Sequence, residues 1–270
     1  MGKFFNQIIY LNVIVALSTA ILSAGFVYAM FRGDWWLYGL FAFFSTLAVY
    51  NGQRLFKAGT MKETPWLSWV KRNRNPLGAL SVLSGLVAGI IFFILWNPNP
   101  ISISFLMISG IISLFYVVKV RGRNMREIPY LKIHLIALTW VLTLIIFPLF
   151  NEGYEQYYIW PAVAHYLYVL AVTIPFDIRD LKYDKSEHRT IPQVIGVGWS
   201  KTLSVILLFG FLIIMLTLVD PYLLLNKMFI LSVVIQVILV LFMNEKRSDT
   251  YCAGAIDGAI ALLGLSYFLH

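Results

Sequence analysis

Three aspartates stand at positions 177, 180 and 184 of the stretch FDIRDLKYDKSEHRT. Spaced i, i+3 and i+7, Asp177, Asp180 and Asp184 share one face, within an arc of about 60°, if the stretch is helical. Carboxylates that close repel one another unless a cation sits among them. Hard oxygen ligands suit a divalent ion, magnesium above all, shared with a phosphorylated substrate. The same residues also suit a solvated helix end whose acids pair with Arg179, Lys182 and Lys185. A second stretch, YNGQRLFKAG, sets Arg54 and Lys57 one turn apart. Cations there neutralise a phosphate directly, Arg through a bidentate fork, or else snorkel from a helix end to water.

The elements that position these residues follow from composition. The chain has 270 residues, 60% of them hydrophobic and 13% charged, which is too apolar for a soluble domain and predicts an integral membrane protein. The lone Cys252 excludes an intramolecular disulfide. A bilayer core of about 30 Å needs roughly 20 apolar residues per helix. Such stretches lie near residues 8 to 31, 35 to 56, 78 to 96, 101 to 118, 131 to 150, 157 to 176, 201 to 219, 222 to 242 and 252 to 270. The expectation is a single all-α domain over residues 1–270, a bundle of nine transmembrane helices. The apolar N-terminal run lacks a small-residue cleavage site and reads as a retained first span.

The excess of 21 Lys and Arg over 13 Asp and Glu sorts by loop rather than pointing to nucleic acid. Nineteen of the 21 fall on one side of a nine-span chain, leaving Arg32 and Lys227 opposite. The positive-inside rule makes the rich side cytoplasmic, with the N-terminus and the motif loops, and places the C-terminus on the opposite face. Connections on that opposite face, such as RGD, NPNP and DP, are too short for an extra domain.

The aspartate face and its continuation HRTIPQVIGVGWSK resemble the second aspartate-rich motif of the UbiA superfamily of membrane prenyltransferases. That pattern is similar to D-x-x-D-x-x-x-D, then a basic-Thr-x-Pro segment and a Gly. Asp177, Asp180, Asp184, Arg189, Thr190, Pro192 and Gly196 match it. The stretch SLFYVVKVRGRNMREIPYLKI looks like a third family element, a Tyr followed by basic residues: Tyr116, Lys119, Arg121 and Lys132. Basic juxtamembrane loops also attract membrane lipids without any such role.

The resemblance implies a UbiA-like bundle that moves an isoprenyl group from its diphosphate to a lipophilic acceptor, aromatic or quinone-precursor in kind. Asp177, Asp180 and Asp184 would hold magnesium and serve catalysis. Asn51, Arg54, Lys57, Tyr116, Lys119, Arg121, Lys132 and Arg189 would contact the diphosphate. The family's first motif looks like N-D-x-x-D-x-x-x-D. Here Asn51 matches, but the aspartate positions hold Gly52, Leu55 and Gly59. Two outcomes follow: an enzyme with a single magnesium, Arg54 and Lys57 standing in for the rest, or a degenerate protein that binds an isoprenoid or quinone lipid or assists a partner enzyme.

Asp257 lies about 9 Å into the last span, where a charge must face the bundle interior and is a functional candidate. Gly254 and Gly258 beside it suit close helix contact. His134 and His165 have no second His or Cys at ligand spacing and read as hydrogen-bonded packing residues. Scattered polar residues without an inverted repeat argue against a transporter.

Overall fold

The computed structural model describes residues 7–58, 65–95, 99–118, 125–183 and 189–269, which form helices and short connections. The long helices are α1 (Val13–Phe31), α2 (Trp35–Lys57), α4 (Arg74–Leu95), α5 (Pro100–Phe115), α8 (Ile159–Asp180), α9 (Ile191–Ile214) and α10 (Lys227–Leu241). Between them lie the short α3 (Pro65–Arg72) and the pair α6 (Leu131–Val141) and α7 (Phe147–Asn151), joined by a π turn over Leu142–Ile146. A π segment over Thr250–Ile256 leads into α11 (Asp257–Tyr267). Five helical stretches are long and apolar enough to cross a membrane: Val13–Phe31, Arg74–Leu95, Leu131–Asn151, Ile159–Asp180 and Ile191–Val219. Pro100–Phe115 and Lys227–Leu241 are apolar but shorter.

Large apolar side chains point outward from α4, α5, α9 and α10, among them Leu83, Phe93, Met107, Phe209 and Leu241, each more than half exposed. An apolar exterior of that extent is unfavourable in water and suited to lipid. The protein is an all-helical membrane bundle.

Two helix starts differ from the ends of the apolar runs, each for a local reason. Residues 7–10 are helical, as the first run suggests, but the helix breaks at Leu11 and Asn12 and resumes as α1 at Val13, because Asn12 adopts a left-handed conformation (φ 59°) that its short polar side chain tolerates. Asn12 Nδ2 donates to Asn51 Oδ1 at 2.8 Å, and Asn51 Nδ2 donates to the Leu11 carbonyl at 3.1 Å. This pair pins the entry to α1 onto α2. At the other site, α9 begins ten residues before its apolar run. Thr190 and Gln193 form a capping box, with Pro192 in the first turn. Gly196, at φ 78°, then bends the helix where a side chain would be strained. Thr190, Pro192 and Gly196 therefore have a structural task in starting and bending α9.

Close packing between α1 and α11 rests on Gly25 and Gly264, not on the expected Gly258, around which a methyl group would meet nothing within 4 Å. A Cβ on Gly264 would come within 2.5 Å of the Ile21 backbone, and one on Gly25 within 2.0 Å of the Gly264 carbonyl. Small residues at such a crossing let backbones approach. Gly264→Val should force α1 and α11 apart and destabilise the bundle by about 1–3 kcal/mol or more. The check is thermal unfolding in detergent, followed by labelling of the buried Cys252: the variant's thiol should react at a lower temperature, and an unchanged midpoint would contradict the packing account.

Candidate functional site

One cavity of about 250 Å³ runs between α2, α5, α6, α8 and the start of the last helical rod. Its lining changes character along each wall. On α2, Lys57 and Arg54 stand at the helix end, with Tyr50 and Val49 one to two turns further in. On α6, Lys132 stands at the start and Trp140 follows eight residues along, about 12 Å away. On α8, Asp180, Arg179 and Asp177 lie at the end, with Val172 and Val169 behind them. The charged ends of three helices thus converge, and the cavity becomes apolar and aromatic with depth.

The charged end is held by ion pairs between elements. Lys132 Nζ forms an ion pair with Asp177 Oδ1 at 2.7 Å and lies 3.9 Å from Asp180 Oδ2, with Asp177 only 1% exposed. Arg179 Nε donates to Asp180 Oδ1 at 2.8 Å, and Arg179 also reaches Asp249 Oδ1 at 3.1 Å. Pairing of Arg179 with Asp180 follows the helix-end expectation, whereas the close cationic partner of Asp177 comes from α6. A buried carboxylate is retained only with such a partner, since desolvation is otherwise too costly.

Arg54 is turned inward rather than out to water. It donates to the Tyr10 carbonyl at 2.5 Å and lies over the Trp66 ring at 5.3 Å. Lys57 lies 5.1 Å from the centre of the Tyr116 ring, which Arg126 also approaches at 5.7 Å. These cation–π contacts hold the cations at the wall.

Of the site residues expected from sequence, Arg54, Lys57, Tyr116, Lys132, Asp177 and Asp180 all line the cavity. Asn51 is fully buried and braces Asn12 instead. Arg189 is exposed at the start of α9, away from the cavity lining, in a left-handed conformation. Asp184, Lys119 and Arg121 lie outside the described residues. His165 packs as expected, its Nδ1 at 2.8 Å from the Pro161 carbonyl and Nε2 at 3.1 Å from the Tyr267 hydroxyl. His134 bonds the Tyr166 hydroxyl. Arg126, Asp249, Tyr10 and Trp66 join the lining without having stood out in sequence. Arg126 sits within a basic loop whose members look alike, and Asp249 stands with Glu245 in a short polar loop ahead of the last span.

Among the described residues no three His, Cys, Asp or Glu side chains group to hold a metal. Asp177 and Asp180 are the only two motif carboxylates described, and the Lys132 ammonium bridges them. Magnesium needs near-octahedral oxygens at about 2.0–2.1 Å, so these two aspartates, as placed, do not fit a bound ion.

No protein-family model matches the chain, and no curated protein matches it in sequence. Its fold is that of a solved structure of a UbiA homolog from Archaeoglobus fulgidus bound to GPP and Mg2+. The TM-score is 0.58 at 11% identity, covering 98% of this chain and 96% of that one. The chain is thus an all-helical membrane bundle of UbiA type in fold.

Proposed function

We propose that the cavity takes an isoprenyl diphosphate, headgroup at the charged end and chain along the apolar wall, and that the protein transfers the isoprenyl group to a lipophilic aromatic or quinone-precursor acceptor. The observation that carries this reading is the change from cations to aromatic and aliphatic lining along three helices. It suits a molecule with an anionic head and a hydrocarbon tail. The GPP held by the UbiA homolog of the same fold supports the same class. Cytoplasmic opening of the charged end, nine crossings and a part for Asp184, Lys119 and Arg121 around the headgroup belong to this proposal.

Cleavage of an allylic C1–O bond sends an electron pair to the diphosphate, and catalysis rests on fixed charges that neutralise it. Arg54, Lys57 and Arg126 supply them here, with Lys132 held in register by Asp177 and Asp180. Preorganised cations replace the carboxylate-bound metals the resemblance implies, so Lys132 takes over the magnesium role assigned to these aspartates. The apolar depth keeps water from the allylic cation, and the Tyr50 and Trp140 rings offer it π faces; Trp140 Nε1 donates to the Tyr50 hydroxyl at 2.9 Å, fixing both.

The same lysine bridge, with Gly52 and Leu55 at aspartate positions, also favours a second reading in which the protein binds an isoprenoid lipid without turnover. Two measurements separate them: mass identification of lipid copurifying from membranes, and diphosphate release from geranyl diphosphate with a panel of hydroxyarenes and quinone-precursor acids. The transfer reading expects release that persists in EDTA. Binding without release from any acceptor leaves the second reading.

A further inference from the structure

The cavity's deep wall carries one charge that the diphosphate reading does not use. Asp257 begins α11 and is only 8% exposed, yet it lines the cavity. It accepts no hydrogen bond and joins no ion pair among the described residues, whereas Asp177, Asp180 and Asp249 all contact cations. The charges of Arg179 and Arg54 reach it only at longer range. It stands eight residues beyond Asp249, further along the rod. Its cavity neighbours include Val15, Tyr50, Val172 and Ile260.

A buried carboxylate without a donor is costly, and its persistence beside a cavity calls for a ligand that supplies one. The backbone leading to it is also unusual. Seven consecutive residues, Thr250–Ile256, are π-helical, where such turns are mostly single and frequently occur at functional sites. The altered turn sets which face of the rod Asp257 occupies.

We propose that Asp257 is the acceptor-binding group: it takes the hydroxyl hydrogen of a neutral hydroxyarene lodged in the aromatic depth of the cavity. This rests on the prenyl-transfer reading and sharpens its acceptor class. A carboxylate at that position repels an acidic ring and prefers one bearing an uncharged O–H. During transfer the arene forms its bond to C1 of the isoprenyl chain and the C1–O bond breaks with its electron pair going to the diphosphate. The new bond is to the ring carbon ortho to the hydroxyl, the hydroxyl proton passes to the Asp257 carboxylate as the dienone forms, and the hydrogen on that carbon then returns to the oxygen as the ring regains aromaticity.

The test measures binding of three probes to the purified full chain in detergent: 1-naphthol, 1-methoxynaphthalene, which lacks the donor, and 1-naphthoate, which is anionic. The wild type should bind 1-naphthol about 10- to 100-fold more tightly than the ether, the range for a hydrogen bond to a charged group, with naphthoate weakest. Asp257→Leu should abolish the preference for naphthol over the ether, and Asp257→Asn should reduce it. Equal affinity of the wild type for naphthol and ether, or a preference for naphthoate, would overturn the assignment without needing any variant to fold. Geranyl thiodiphosphate binding on the same preparation keeps the two proposals apart: its absence removes the diphosphate reading, while the naphthol preference decides Asp257.

Discussion

Replacing Arg54 and Lys57 together by alanine is expected to weaken binding of geranyl thiodiphosphate by about 10²- to 10⁴-fold. Hydrogen bonds to charged groups contribute about 1.5–3 kcal/mol each, and two are lost. Both cations stand at the end of α2 and line the charged end of the cavity. The tail contacts deeper in the bundle are untouched. Arg54→Lys alone should lose the larger share of the Arg54 contribution, because lysine keeps the charge but not the planar fork. Arg54 also donates to the Tyr10 carbonyl, so its removal additionally loosens the segment leading into α1. Titration of the variants with the thiodiphosphate makes the comparison, and a change below about threefold for the double variant would place the headgroup elsewhere.

Lys132→Ala has the larger structural consequence. It strips the 2.7 Å partner from Asp177, which is 1% exposed, and removing one member of a buried pair costs about 3–5 kcal/mol. The variant should unfold at a markedly lower temperature. It should also acquire a response its parent lacks: millimolar magnesium raises its midpoint, because Asp177 and Asp180 then share an ion instead of an ammonium. Combining Lys132→Ala with Asp177→Asn should recover part of the loss, since no unpaired charge stays buried. If magnesium stabilises the wild type as strongly as the variant, the lysine does not occupy the metal's place.

The acidic face and the two basic stretches were legible in sequence because spacing along one helix survives into the fold. Asp177 and Asp180 share a face of α8, and Arg54 and Lys57 share a face of α2, as their i, i+3 spacings require. What joined them was not legible. Lys132 reaches Asp177 across 45 positions of chain, and nothing local distinguishes it from other cations of its loop. Asn51 matched a motif residue by type, yet its task is to brace the left-handed Asn12, a tertiary pairing that no periodicity signals. Arg189 matched by position but is exposed and does not line the cavity. Thr190, Pro192 and Gly196 read as motif in sequence and as helix start and bend in structure, and both readings use the same residues. The depth of Asp257 was legible from hydropathy. Its approach through seven π residues was not, because apolar periodicity is too coarse to register a change of helical turn.

In the proposed function, fixed cations without magnesium hold an isoprenyl diphosphate in this bundle. Titration of the purified wild-type protein with geranyl thiodiphosphate in EDTA, against geraniol as the uncharged control, tests it most directly. Saturable binding is expected in EDTA, far tighter for the diphosphate than for the alcohol. Binding that appears only when magnesium is added, or equal affinity for geraniol, would contradict it.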